Sequence, residues 1–170
     1  CTSNVCKAGN GTSCAAGDCT TGQVCDAGTC HSALGSSCAN GAVCTSGTTC
    51  DADVCKVSPG GTCDVNTPCT SGHTCESGEC KANPGGTCGG VVDCTSGFLC
   101  EGGSCRGGQD AACGAVSCAS GFSCDGGQCK VAPGGTCDGA ADCGDGYTCD
   151  GGHCLVEAGG TCTVGGVACV

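Results

Sequence analysis

The stretch Cys88-Gly-Gly-Val-Val-Asp-Cys94-Thr-Ser-Gly-Phe-Leu-Cys100-Glu-Gly-Gly-Ser-Cys105 places four cysteines in eighteen residues. A seven-residue connector leads from it into another copy of the same pattern. Written C-x4/5-C-x5-C-x4-C-x7, the pattern recurs every 24 or 25 residues, with complete copies beginning at Cys14, Cys38, Cys63, Cys88, Cys113 and Cys137. Numbering the cysteines of a copy I to IV, six modules span 14–37, 38–62, 63–87, 88–112, 113–136 and 137–161. Residues 1–13 carry Cys1 and Cys6 at the III–IV spacing and read as the C-terminal half of a module. Residues 162–170 carry Cys162 and Cys169 at a slightly stretched I–II spacing and read as an N-terminal half. Repetition at this period predicts a quasi-one-dimensional object in which each module touches mainly its neighbours, a rod or filament.

The composition rules out an ordinary core. Among 170 residues there are three Leu, fourteen Val and two Phe, with no Ile, Met or Trp, against 36 Gly. So few large apolar side chains cannot offset the entropy of ordering the chain. Twenty-eight cysteines can. A density this high marks a disulfide scaffold, and disulfides persist in oxidising compartments, so an extracellular, secreted or cell-surface location is expected. A metal-thiolate protein is disfavoured by spacing, because no two cysteines are closer than C-x4-C and the short pairs that wrap zinc or copper are missing. No cofactor is expected.

Local chemistry points to hairpins. A glycine stands three residues before every cysteine III (Gly22, Gly47, Gly72, Gly97, Gly121, Gly146), as a turn with positive φ requires. The tetrads between III and IV, such as Asp-Gly-Gly-Gln, read as tight turns between two short strands. Connectors led by Pro59, Pro84 and Pro133 read Pro-Gly-Gly-Thr, which is turn chemistry. No apolar period of 3.6 occurs, so essentially no helix is expected. The fold class is therefore a small disulfide-rich protein, a linear array of short β-hairpin modules.

Spacing alone leaves the disulfide pairing open. A III–IV bridge would have to span the tip of its own hairpin, so I–III with II–IV is favoured, tying each hairpin to the segment before it. This gives Cys14–Cys25 with Cys19–Cys30, Cys38–Cys50 with Cys44–Cys55, and Cys63–Cys75 with Cys69–Cys80. In the later modules it gives Cys88–Cys100 with Cys94–Cys105, Cys113–Cys124 with Cys118–Cys129, and Cys137–Cys149 with Cys143–Cys154. Loops of a dozen residues contribute about 3 kcal/mol each in the chain-entropy account.

Charge excludes some partners. A net charge of −11 argues against nucleic acid and anionic membranes, and no apolar run is long enough for a membrane span. The residue after cysteine III is acidic in all six modules (Asp26, Asp51, Glu76, Glu101, Asp125, Asp150), and all five basic residues follow a cysteine IV (Lys7, Lys56, Lys81, Arg106, Lys130). Fixed positions of opposite sign are placed to form a charge ladder. Catalysis finds no support: His31, His73 and His153 lie in different modules, and no nucleophile elbow, P-loop or His-Glu-x-x-His is present. An enzyme is not expected, nor a metal site.

Hydroxyl residues recur at two module positions. Thr20, Thr45, Thr70 and Thr95 follow cysteine II, and Thr62, Thr87, Thr136 and Thr161 precede cysteine I. With the sequon Asn10-Gly-Thr12, they are candidate sites for covalent glycans.

At Asp93-Cys94-Thr-Ser-Gly97-Phe98-Leu-Cys100 and Asp142-Cys143-Gly-Asp-Gly146-Tyr147-Thr-Cys149 the module resembles the Dickkopf N-terminal cysteine-rich region, and more loosely the granulin- or knottin-like hairpin modules of extracellular proteins. The resemblance covers about eighteen residues per copy. It implies a disulfide-linked hairpin in a secreted protein. The adjacent cysteine pair and long interdomain segment of Dickkopf proteins are missing, so it does not imply receptor antagonism.

These readings converge on an extracellular structural protein that forms or decorates a fibre. Its partners would be copies of itself, with Cys162 and Cys169 of one chain completing a module with Cys1 and Cys6 of the next, or further repeats of the same chain. The alternative is a multivalent binding array, such as a protease inhibitor or a receptor- or ligand-binding repeat protein.

Overall fold

The structure, a computed structural model, describes residues 7–90, 93–161 and 169. Six antiparallel hairpins follow one another: β1 (Gln23–Asp26) with β2 (Thr29–Ser32), β3 (Thr48–Asp51) with β4 (Val54–Val57), and β5 (His73–Glu76) with β6 (Glu79–Ala82). Then come β7 (Phe98–Glu101) with β8 (Ser104–Gly107), β9 (Phe122–Asp125) with β10 (Gln128–Val131), and β11 (Tyr147–Asp150) with β12 (His153–Val156). Among the described residues there is no α-helix, only single 3-10 turns at 39–41 and 140–142. The chain divides into two compact units, Cys1–Lys81 and Ala82–Val170.

Each hairpin closes through a two-residue turn in which both central residues have positive φ: Ala27 and Gly28 in the first module, Ala52 and Asp53 in the second, Gly151 and Gly152 in the sixth. That is the type I′ turn, whose twist matches the flanking strands. The second module alone builds it without glycine, at the steric cost that L-residues carry in the left-handed region.

Alternation along four-residue strands sorts the side chains. Cysteines III and IV lie directly opposite each other, as in Cys25↔Cys30 and Cys149↔Cys154. Facing cross-strand Cβ atoms are about 5 Å apart, wider than the roughly 3.8 Å a disulfide prefers. The structure instead bonds III to I and IV to II in all six modules. The acidic residue after III and the residue after IV share the opposite, outer face.

The connector is more than a turn. From the second module into the third, Gly60 N–H donates to Cys80 O (2.9 Å), Cys80 N–H to Gly61 O (3.0 Å) and Cys63 N–H to Gly78 O (2.9 Å), with Thr62 bridged to Glu79. The same bonds recur from the fifth module into the sixth, at Gly134, Gly135 and Cys137. The connector thus leaves its own hairpin and runs as a bridging third strand along the second strand of the next module's hairpin. A Cβ on Gly61 would stand 2.6 Å from Val57 Cγ1, and one on Gly135 2.6 Å from Val131 Cγ1, so glycine is needed where Val stands four residues earlier; Thr12, Ser36 and Ala111 hold the same place where that residue is Ala8, Ser32 or Gly107.

Candidate functional site: the seam between modules

The buried residues show where order comes from. Cysteine IV is the deepest group, fully buried at Cys30, Cys55, Cys105, Cys129 and Cys154. Beside it lies the residue two positions after cysteine IV of the preceding module. Val57 of the second module (5% exposed) clusters with Cys63 and Cys80 of the third. Val131 of the fifth clusters with Cys137, Cys143 and Cys154 of the sixth, against which Phe122 and Tyr147 pack. Ala82 likewise joins Cys94 and Cys105, with Phe98 against them. The scarce aromatic residues therefore cover disulfides. Each of these small cores is completed by a residue from the module before it.

Backbone bonds fix that insertion. Val57 N–H donates to Pro68 O (2.9 Å), and Val57 O accepts from Thr70 N–H (3.1 Å), so Val57 and Cys69 form a parallel bridge. The bridge recurs at Ser32–Cys44, Ala82–Cys94, Gly107–Cys118 and Val131–Cys143. It also occurs before the first complete module, at Ala8–Cys19, and after the sixth, at Val156–Cys169. Cys169 is disulfide-bonded. Cys1, Cys6 and Cys162 lie outside the described residues.

A polar clasp crosses the same seam on the outer face. Asp26 Oδ2 accepts hydrogen bonds from the Ser46 N–H and hydroxyl, both 2.7 Å, and Asp51 Oδ2 accepts from the Ser71 N–H (2.6 Å) and hydroxyl (2.7 Å). Glu101 accepts from Ser120 N–H (2.9 Å), and Asp125 from Asp145 N–H. The acid after III in one module therefore grips the second residue after II in the next. It also draws in the residue after cysteine IV of its own hairpin. Lys56 lies 2.8 Å from Asp51, Lys81 3.9 Å from Glu76, Arg106 Nε 3.7 Å from Glu101, and His31 Nδ1 3.7 Å from Asp26. Diagonal placement on one face of the hairpin brings these partners together. The ladder departs from its pattern at Lys130, which turns to Asp110 (2.5 Å) and to Ala141 O (3.0 Å). Lys7 reaches Gly17 O.

These donors stabilise the carboxylates. Lys56 first, then Ser71, pull the Asp51 carboxyl down to about 2, and the Ser46 donors hold Asp26 below the usual range. Ser120 does the same for Glu101. Asp142 is lowered by the backbone N–H groups of Asp138 and Gly139, which cap the loop between cysteines I and II, and it accepts a further bond from Gln109 (2.6 Å). Carboxylates so provided with N–H donors act as struts.

The candidate glycan acceptors fall into two sets. The hydroxyls after cysteine II face inward: Thr20 bonds Gln23 (2.8 Å), Thr45 bonds Thr48 (3.3 Å), and Thr70, 9% exposed, bonds His73 (3.3 Å). Thr95 is half-buried at the same position. Asn10 is also engaged, its Nδ2 donating to Val43 O (3.0 Å) while its Oδ1 accepts Val43 N–H (2.9 Å). By contrast Thr62, Thr87, Thr136 and Thr161 are exposed. Recurrence marks Ser46, Ser71 and Ser120 two residues after cysteine II, and a sequon marks Asn10, but both signals point to glycans and neither shows that the serines meet an acid of the preceding module or that Asn10 meets Val43.

No family model matches the chain, and no similar curated protein or solved structure was found. Nothing in these comparisons upholds a kinship with Dickkopf proteins. What stands is the granulin- or knottin-like tandem of disulfide-bonded hairpins.

Proposed function

We propose that this protein is a non-enzymatic extracellular structural protein whose modules build or decorate a disulfide-stabilised filament. The observation that carries the reading is the seam: a small core completed by the preceding module, a construction that continues at Ala8–Cys19 and Val156–Cys169 beyond the six complete modules. An interface that joins each module to the next in one direction propagates without closing on itself. The twelve disulfides of the six complete modules accord with a secreted or extracellular setting, and no helix among the described residues is long and apolar enough to cross a membrane. Because Cys169 is already disulfide-bonded, each inter-chain bridge formed at a completed half-module would replace an existing one by thiol–disulfide exchange, started by a catalytic thiolate that is released again at the end. Further repeats of the same chain would extend the array by the same seam. Glycans, where present, belong on the exposed row at Thr62, Thr87, Thr136 and Thr161. The inhibitor alternative loses ground, because the Lys56 and Lys81 side chains fold onto acids and are only 21% and 19% exposed.

Imaging of native material with and without reductant tests the filament. Fibres that fall to 15.8 kDa pieces on reduction are the expected result for head-to-tail joining, and larger pieces for a longer repeat chain. Compact monomers in both conditions overturn the filament reading. An intact mass equal to the bare polypeptide overturns the glycans.

A further inference from the structure

Two of the five asparagines precede glycine, Asn10–Gly11 and Asn40–Gly41. This dipeptide has its own chemistry. The glycine nitrogen attacks the asparagine Cγ, a C–N bond forms, the proton passes to the departing amide, and ammonia leaves a cyclic succinimide. Water then opens the ring at either carbonyl, giving aspartate or isoaspartate, so the net change is loss of ammonia and gain of water. Glycine favours it because no side chain shields the attacking nitrogen and its backbone rotates freely. A fold opposes it by immobilising the carboxamide and engaging the glycine N–H.

The first site is immobilised on both counts. Asn10 holds Val43 through a donor and an acceptor bond, with Ser32 Oγ 3.4 Å from its Nδ2, and Gly11 N–H donates to Cys30 O (2.8 Å). The second site is not. Asn40 is exposed, with φ 62° and ψ 28° in the left-handed region, and its side chain makes no hydrogen bond among the described residues. Nothing lies within 4 Å of where a Cβ on Gly41 would stand. We propose that Asn40–Gly41 is a site of spontaneous deamidation in the folded protein, with water as the only co-reactant, and that the clamp on Val43 shields Asn10–Gly11. The two sites are linked, since Asn40 lies in the loop between Cys38 and Cys44 that presents Val43 to Asn10. Isoaspartate at position 40 adds a backbone carbon to that loop, so conversion at Asn40 precedes and hastens conversion at Asn10.

The test is to age the oxidised full chain in mildly alkaline buffer, with a reduced and alkylated sample beside it. Aspartate and isoaspartate are then quantified at both positions by peptide mass spectrometry. In the oxidised protein Asn40 is expected to convert at least about tenfold faster than Asn10, with a lag at Asn10, whereas the reduced chain loses the difference. Val43→Pro, which removes the N–H held by Asn10, is expected to raise the Asn10 rate and leave that of Asn40 unchanged. Equal rates at the two sites in the oxidised chain overturn the proposal. So does an Asn40 that survives while the reduced chain converts.

Discussion

The second and sixth modules have the same inner face and different outer ones. Both have I–III and II–IV disulfides, a fully buried cysteine IV and a type I′ turn. On the outside, Asp51 in the second grips Ser71 and Lys56. In the sixth, Leu155 occupies the position where the second carries Lys56, so the acid after cysteine III has no cation diagonal to it on its own hairpin. Two modules can thus share a fold while one lacks the cation of the ladder. The cysteines and the residue inserted from the module before them hold the structure, and the acidic clasp adjusts the seam.

The strongest way to break this parallel is to remove an inner bond. Replacing Cys44 and Cys55 together by Ala is expected to cost about 4 kcal/mol, and the same change at Cys143 and Cys154 should cost about as much. Denaturation followed by mass-mapped proteolysis would locate cleavage within 38–62 or 137–161 respectively. Strongly unequal losses would show that the inner faces are not equivalent.

Next comes the inserted residue. Val57→Asp buries an unpaired charge among the cysteines of the third module and should destabilise by about 3 kcal/mol. Hydrogen exchange should place the loss in residues 63–80, the neighbour, as well as at the mutated seam. An effect confined to the second module would contradict a shared core.

A smaller effect of opposite sign is expected at the turn. Ala52→Gly relieves a left-handed alanine at φ 50° and should stabilise the second module by about 1 kcal/mol, giving it a glycine where the sixth already has Gly151. Thermal denaturation reads this directly.

The clasp should matter least, and only in acid. The Asp51 carboxyl is held at about 2 in the folded chain against an ordinary 3.8. A folded value below the unfolded one stabilises above about pH 4, and that contribution fades as the pH falls through about 2. Asp51→Asn should therefore flatten the pH dependence of Ser71 amide protection in this window, while Asp150→Asn changes nothing there.

The hairpins were legible because their signals are local. A glycine before cysteine III and a Gly-rich tetrad after it specify turns whatever surrounds them, and the missing 3.6 period excludes helices. The seam is written in residues with no common signature. Ser32, Val57, Ala82, Gly107 and Val131 occupy one inserted position, and only backbone pairing with a cysteine of the next module reveals their shared role. The third strand was hidden similarly, since Pro-Gly-Gly-Thr reads as a turn until Cys80 and Gly61 are seen to bond. The charge ladder was half visible. Acid and base alternate plainly in the sequence, but the serine that completes the clasp stands twenty residues away.

The interleaved disulfides have a mechanical consequence. Under tension the load enters a module at cysteine I, crosses its bridge to III, and needs only five further residues to reach IV before running out along the connector. Of each 24- or 25-residue period, about half can be drawn straight, roughly 45 Å of a possible 85 Å at about 3.5 Å per residue. The remaining length is held in covalent reserve. A pulled chain should stop short at that limit in oxidising medium and yield the rest only when a thiol opens the bridges.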